Sequence, residues 1–146
     1  MALLMACSCS SGDVLYSEFR QVGDGWTKDR PLRFDFPDSL DAGEVDLKIC
    51  VRHDNYYPYR NLWVVADCLK DGRVVESDTV DIVLADKFGN WHGSGLGRLF
   101  QRCATVRKKI PSERFDGVIL WHYMRCDTVT NVSDIGVSLS LSKENN

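Results

Sequence analysis

A large excess of either charge sign is missing from this chain of 146 residues: 18 Lys and Arg stand against 21 Asp and Glu, a net charge of −3. That balance argues against a nucleic-acid-binding arm, so no nucleic-acid partner is expected. Long apolar runs are also missing; the longest uncharged stretch falls well short of the roughly 20 residues needed to span a bilayer as a helix. Histidine is sparse, with three scattered copies at His53, His92 and His122. No GxSxG, HExxH or CxxC occurs, which removes the usual local signatures of a serine hydrolase, a zinc protease and a zinc clamp. No segment carries a 3.6-residue apolar stripe of helical length. What remains is an ordinary globular composition, 44% hydrophobic and 27% charged. A chain of about 150 residues buries roughly 68–70% of its unfolded surface and needs no metal or disulfide staple to hold a core.

The pattern that is present has period two. Val45, Leu47, Ile49 and Val51 alternate with Asp46, Lys48, Cys50 and Arg52, placing aliphatic side chains on one sheet face and polar ones on the other. Residues 62–69 are nearly continuously apolar, as in a strand buried on both faces or lying under a loop. Val80, Ile82 and Leu84 alternate, as do Ile135, Val137, Leu139 and Leu141, and residues 118–125 have the aromatic and β-branched enrichment of a central strand. Weaker strands are predicted over 14–19, 32–36 and 99–108. Asp71-Gly72 is the best two-residue hairpin turn, because glycine supplies the positive φ of a primed turn. About eight antiparallel strands must then bury their alternating faces on one another. The predicted fold is all-β, a single-domain antiparallel β-sandwich of jelly-roll type over residues 14–142, with a frayed tail at 143–146.

Six cysteines are present, and their spacing does not suggest a disulfide framework. Cys50, Cys68, Cys103 and Cys126 lie singly in apolar or alternating runs and read as free, buried or half-buried thiols. Cys50 and Cys68 are conceivable cross-strand neighbours, should an oxidising compartment permit a bond.

The first residues carry a different message. Leu4, Ala6 and Cys7 hold the aliphatic, small and cysteine positions of a bacterial lipobox, and Ser8, Ser10, Ser11 and Gly12 follow as a flexible tether. Residues 1–13 read as a lipoprotein signal remnant and tether, with Cys7 accepting a diacylglycerol. Each buried acyl CH₂ adds about 0.8 kcal/mol of membrane attachment. Residues 2–6 are uncharged and shorter than a signal peptide's apolar region. Either the true start therefore lies upstream, or this is a buried first strand ending in two structural cysteines; the Ser/Gly run suits the tether better.

Residues 52–63, Arg-His-Asp-Asn-Tyr-Tyr-Pro-Tyr-Arg-Asn-Leu-Trp, are the most unusual segment. Arg52, Tyr56, Tyr57, Tyr59 and Arg60 are the candidate surface for a protein partner, since such residues bring large contact area at low entropy cost. A sugar-stacking platform is the alternative, and tyrosines packed back onto the sandwich edge are the structural one. Residues 91–98 contain GxGxG, but with no helix behind it this is a bending loop rather than a phosphate cradle. His122 shares a strand face with Leu120 and Met124 and reads as a satisfied core histidine. No catalytic constellation, metal site or cofactor is expected.

Taken in order, Tyr16 and Phe19, Trp26, Phe34, the 52–63 block, Asp78-Thr79-Val80, Leu84-Ala85-Asp86, Gly89-Asn90-Trp91-His92-Gly93, Gly95, Tyr123-Met124-Arg125 and Ile135-Gly136-Val137 resemble the gliding-motility lipoprotein family GldH. The resemblance covers essentially the whole chain after the tether. It implies a non-catalytic, lipid-anchored protein of the bacterial cell envelope that serves gliding motility with other envelope components. It transfers only one position of defined chemistry, Cys7. The anchored body is expected to face the periplasm, with the outer membrane favoured because Ser8 is not an inner-membrane retention aspartate. A carbohydrate-binding envelope module is the alternative function.

Overall fold

The computed structural model describes residues 13–38, 40 and 43–143, so Cys7 and the tether lie outside the described residues. Eleven strands run through the described chain: β1 (Val14–Gln21), β2 (Trp26–Thr27), β3 (Leu32–Asp35), β4 (Glu44–Asp54), β5 (Asn61–Lys70), β6 (Arg73–Val83), β7 (Ser94–Leu96), β8 (Leu99–Pro111), β9 (Gly117–His122), β10 (Thr128–Val129) and β11 (Val132–Leu141). They form a five-stranded sheet in the order β1-β11-β4-β8-β7, a four-stranded sheet in the order β3-β9-β5-β6, and a two-stranded ribbon of β10 and β2. Every pairing is antiparallel. The all-β sandwich read from the alternation is the observed architecture.

The core lies between the two sheets. Leu47, Ile49 and Val51 of β4 and Ile135, Val137 and Leu139 of β11 meet Leu62, Val64 and Ala66 of β5 and Val118 and Leu120 of β9, all buried in one cluster. Burying an aliphatic side chain contributes about 1.5–3 kcal/mol, and this shared interior is what sets each strand's register. Trp26 closes one end from the ribbon, its indole N–H donating to the Arg30 carbonyl at 2.9 Å. Between β6 and β8, Arg107 pairs with Asp78 and with Glu76, and Glu76 also pairs with Arg114, linking the two sheets along one side.

Asp71 and Gly72 both have positive φ, 50° and 76°, the backbone of the primed turn expected between β5 and β6. Three sequence readings change. Residues 62–69 are not buried on both faces: Leu62, Val64, Ala66 and Cys68 enter the core, as does Leu69 past a register shift, while Trp63, Val65 and Asp67 line the outer face. The strand expected to reach residue 125 ends at His122, after which the chain turns away toward β10.

The third change concerns cysteine. Cys50 and Cys103 are joined in a disulfide, whereas Cys68 and Cys126 are free. β4 lies between β11 and β8, with β5 in the other sheet, and Cys103 stands directly opposite Cys50 in the β4–β8 register. Cys68 points into the core from the opposite sheet, where burial pushes its thiol up to about 11.

Candidate functional site

The tyrosine-rich block links β4 to β5, and the sandwich divides it. Even positions of β4 face away from the core, so Arg52 lies on the outer face of the five-stranded sheet. Its guanidinium sits 3.7 Å from the Phe19 ring centroid, and its Nε–H donates to Gln101 Oε1 at 2.9 Å. Phe19 in turn covers Gly136, where a Cβ would come within 2.6 Å of the ring. His53 points the other way and is completely buried in an aromatic box of Tyr57, Trp91 and Phe100. Its Nδ1 lies 2.9 Å from the Asp54 carbonyl, and its Nε2 is buried without a hydrogen-bond partner among the described residues. Desolvation there lowers its pKa, so the ring is held neutral.

Tyr57 belongs to this box. It is 4% exposed and donates its hydroxyl to the Asn61 carbonyl at 2.8 Å. Tyr56 is 79% exposed, Tyr59 is 40% exposed, and Arg60 is exposed. Tyr56, Tyr59 and Arg60 therefore remain available at the surface, Tyr57 is a core residue, and Arg52 belongs to the opposite face of the sandwich from the β5 surface.

Tyr59 opens onto a groove of about 1020 Å³ over the outer face of the four-stranded sheet. Antiparallel register explains its floor. On β5, Trp63 and Val65 face outward; Val65 lies between Trp121 of β9 and Thr79 of β6, and Trp63 is opposite Asp81. Just past β9, the Tyr123 N–H donates to the Trp63 carbonyl at 2.7 Å, which sets a fourth ring at the groove. The Trp121 indole is fixed by its N–H bond to Asp67 Oδ2 at 2.9 Å, and the same carboxylate accepts from Ser77 Oγ at 2.7 Å. Asn61 holds Asp81 in the same manner at 2.7 Å.

The groove wall is a loop that hangs on His122. The Met124 N–H donates to His122 Nδ1 at 3.3 Å, and His122 Nε2 lies 3.1 Å from the Asp127 carbonyl, an arrangement that both satisfies and requires the neutral Nε2–H tautomer. Burial lowers the pKa of this ring too, in keeping with the neutral form. The core reading of His122 holds; its additional role as a loop staple depends on backbone groups that sequence patterning does not display. Lys28, set beside the loop by its own N–H bond to the Asp127 carbonyl at 2.9 Å, and Arg125 are the charged groups lining the groove. Met124 and Cys126 give the wall a soft sulfur surface, and the Cys126 thiol pushes the pKa of the Tyr59 hydroxyl up. The residues that sequence reasoning missed are thus Trp63, Trp121 and Tyr123. Their signal was the outward parity of Trp63 on a strand that reads as wholly apolar.

Comparison with known proteins agrees with the resemblance noted in the sequence. The family model described as GldH lipoprotein matches residues 14–139. The chain is 27% identical over 96 residues to the gliding motility lipoprotein GldH of Flavobacterium johnsoniae, an alignment covering 66% of this chain and 60% of that protein. It is 32% identical over 97 residues to the gliding motility lipoprotein GldH homolog of Christiangramia forsetii, covering 65% and 57% respectively. The match therefore spans about three-fifths of the length of either relative. No solved structure matches. With the family model running from the first strand almost to the end of the last, the chain belongs to the GldH lipoprotein family.

Proposed function

We propose that this protein is a non-catalytic, lipid-anchored component of the cell envelope that serves as an adaptor or structural subunit of a gliding-motility apparatus. It is tethered through Cys7 and faces the periplasm, with the outer membrane as its address. The family match over residues 14–139 carries this reading, together with the gliding-motility names that both relatives bear. Two structural observations support it. The Cys50–Cys103 disulfide suits an oxidising compartment outside the cytosol. The buried His122 is bonded at both ring nitrogens to backbone groups, which commits it to the fold rather than to proton transfer.

Metabolic labelling with a clickable fatty acid tests the anchor. Wild type carries the label and fractionates with membranes, and Cys7→Ala loses both; a labelled Cys7→Ala variant, or an unlabelled wild type, overturns the tether. A photo-crosslinking amino acid placed at the solvent-facing Tyr56 or Arg60 tests the adaptor role in cells. A discrete adduct with an envelope protein supports it, and the absence of any adduct at both positions overturns it.

A further inference from the structure

We propose that the groove over the outer face of the β3-β9-β5-β6 sheet docks an extended, acidic, proline-bearing segment of a partner protein. This rests on the adaptor reading and names the chemistry of what the adaptor holds.

Four rings from two separate stretches of chain, Tyr59 with Trp63 and Trp121 with Tyr123, converge on one surface. The surface is built before any ligand arrives: Asp67 locks the Trp121 indole, and His122 staples the loop that follows Tyr123. Preorganised rings spare a ligand the ordering cost of about 0.5–1.5 kcal/mol per immobilised side chain. A polyproline II segment suits such a floor, because its pyrrolidine faces pack on aromatic rings and its backbone carbonyls, unpaired within the helix, look outward for donors. Among the described residues none accepts a hydrogen bond from the Trp63 indole N–H, which leaves that donor for a peptide carbonyl. At about 1020 Å³ the groove lies at the upper limit of pockets for small molecules, a volume that admits several residues of chain.

Charge sets the sign of the partner. The charged groups lining the groove are Lys28 and Arg125, both cations and both solvent-exposed. Of the carboxylates on the same outer face, Asp67 is shared between Trp121 and Ser77, and Asp81, opposite Trp63, accepts from Asn61, while neither lines the groove itself. That same accounting disfavours a sugar. A neutral saccharide, whose hydroxyls each donate once and accept twice, gains no net Coulomb attraction from Lys28 and Arg125, whereas an acidic peptide does; the rest of the lining includes the thioether and thiol of Met124 and Cys126. Sulfur side chains accommodate irregular apolar groups, which a peptide supplies.

The test uses the purified chain and two ten-residue probes, one alternating proline with glutamate and one alternating proline with lysine, alongside trigalacturonate as an acidic sugar. Tryptophan fluorescence reads the titrations. The Pro-Glu peptide is expected to saturate, with affinity at least about tenfold above the Pro-Lys peptide. Trp63→Ala is expected to weaken it by about tenfold or more, and the double charge reversal Lys28→Glu with Arg125→Glu to invert the preference. All three side chains are solvent-facing, and an unchanged thermal midpoint verifies each fold. The proposal is overturned by equal binding of both peptides, by affinity that survives Trp63→Ala, by saturation with trigalacturonate alone, or by no saturable binding. Failure here with the Tyr56 and Arg60 crosslinks intact removes the groove ligand and leaves the adaptor; loss of those crosslinks removes the adaptor reading as well.

Discussion

Tyr56 and Tyr57 are chain neighbours in opposite environments, one 79% exposed and the other 4%. A composition-based reading treats the 52–63 block as one surface, yet the loop leaving β4 must bring its backbone back to β5. It does so by burying one ring against His53 and Trp91 and leaving the next in water. Alanine at Tyr57 should therefore destabilise the fold by about 3–5 kcal/mol, the range for a buried aromatic deleted from a core. Alanine at Tyr56 should change stability by no more than about 0.5 kcal/mol. Urea unfolding of the two variants checks this, and equal losses would show that the box is not part of the core. Arg52 illustrates the same lesson: one strand position separates it from His53, and period-two geometry sends the two to opposite faces of a sheet.

At the scale of elements, the loop between β9 and β10 depends on the protonation state of a single imidazole. A protonated His122 would be a donor at both nitrogens and would lose the hydrogen bond from the Met124 N–H. Burial lowers its folded-state pKa below the ordinary 6.5; Lys28 adds to that shift, while the bond to the Asp127 carbonyl and the Asp127 charge oppose it. The sign follows by linkage. Above pH 6.5 both folded and unfolded chains are neutral at this site; as pH falls, the unfolded chain takes up the proton first, so stability declines from there down to the lower folded value. His53, also lowered, adds to the loss in the same window. The amide of Gln can accept from Met124 and donate to Asp127 without titrating, so His122→Gln should flatten the fall of the thermal midpoint with acidification and leave the His53 share. An unchanged pH slope in that variant would rule out the staple.

For the whole molecule, the Cys50–Cys103 bond ties β4 to β8 within the five-stranded sheet and closes a separation of 53 residues. Removing a cross-link of that span from the unfolded chain costs about 4 kcal/mol of stability in the chain-entropy account. Reductant, or Cys103→Ser paired with Cys50→Ser, should lower the thermal midpoint without abolishing the fold, because the core between the sheets is complete without it. Non-reducing peptide mapping should recover Cys50 linked to Cys103. Alkylation of the native protein should reach half-buried Cys126 well before Cys68, which lies in the core with its thiol pushed up to about 11. A map pairing Cys50 with Cys68 would contradict the strand order itself.

The alternation in residues 45–51 and 135–141, the Asp71-Gly72 turn and the absence of any helical stripe were enough to specify an all-β sandwich and most of its strands, because side-chain period is a local property of the backbone. His122 could be assigned to the core by the same parity. Strand neighbours are not local: whether β8 or β5 flanks β4 decides which cysteines meet, and nothing within either segment encodes it. The groove is of the same kind. Trp63, Trp121 and Tyr123 stand up to 60 residues apart in sequence and become one surface only when β9 pairs with β5, so long-range register, not any motif, assembled the candidate site.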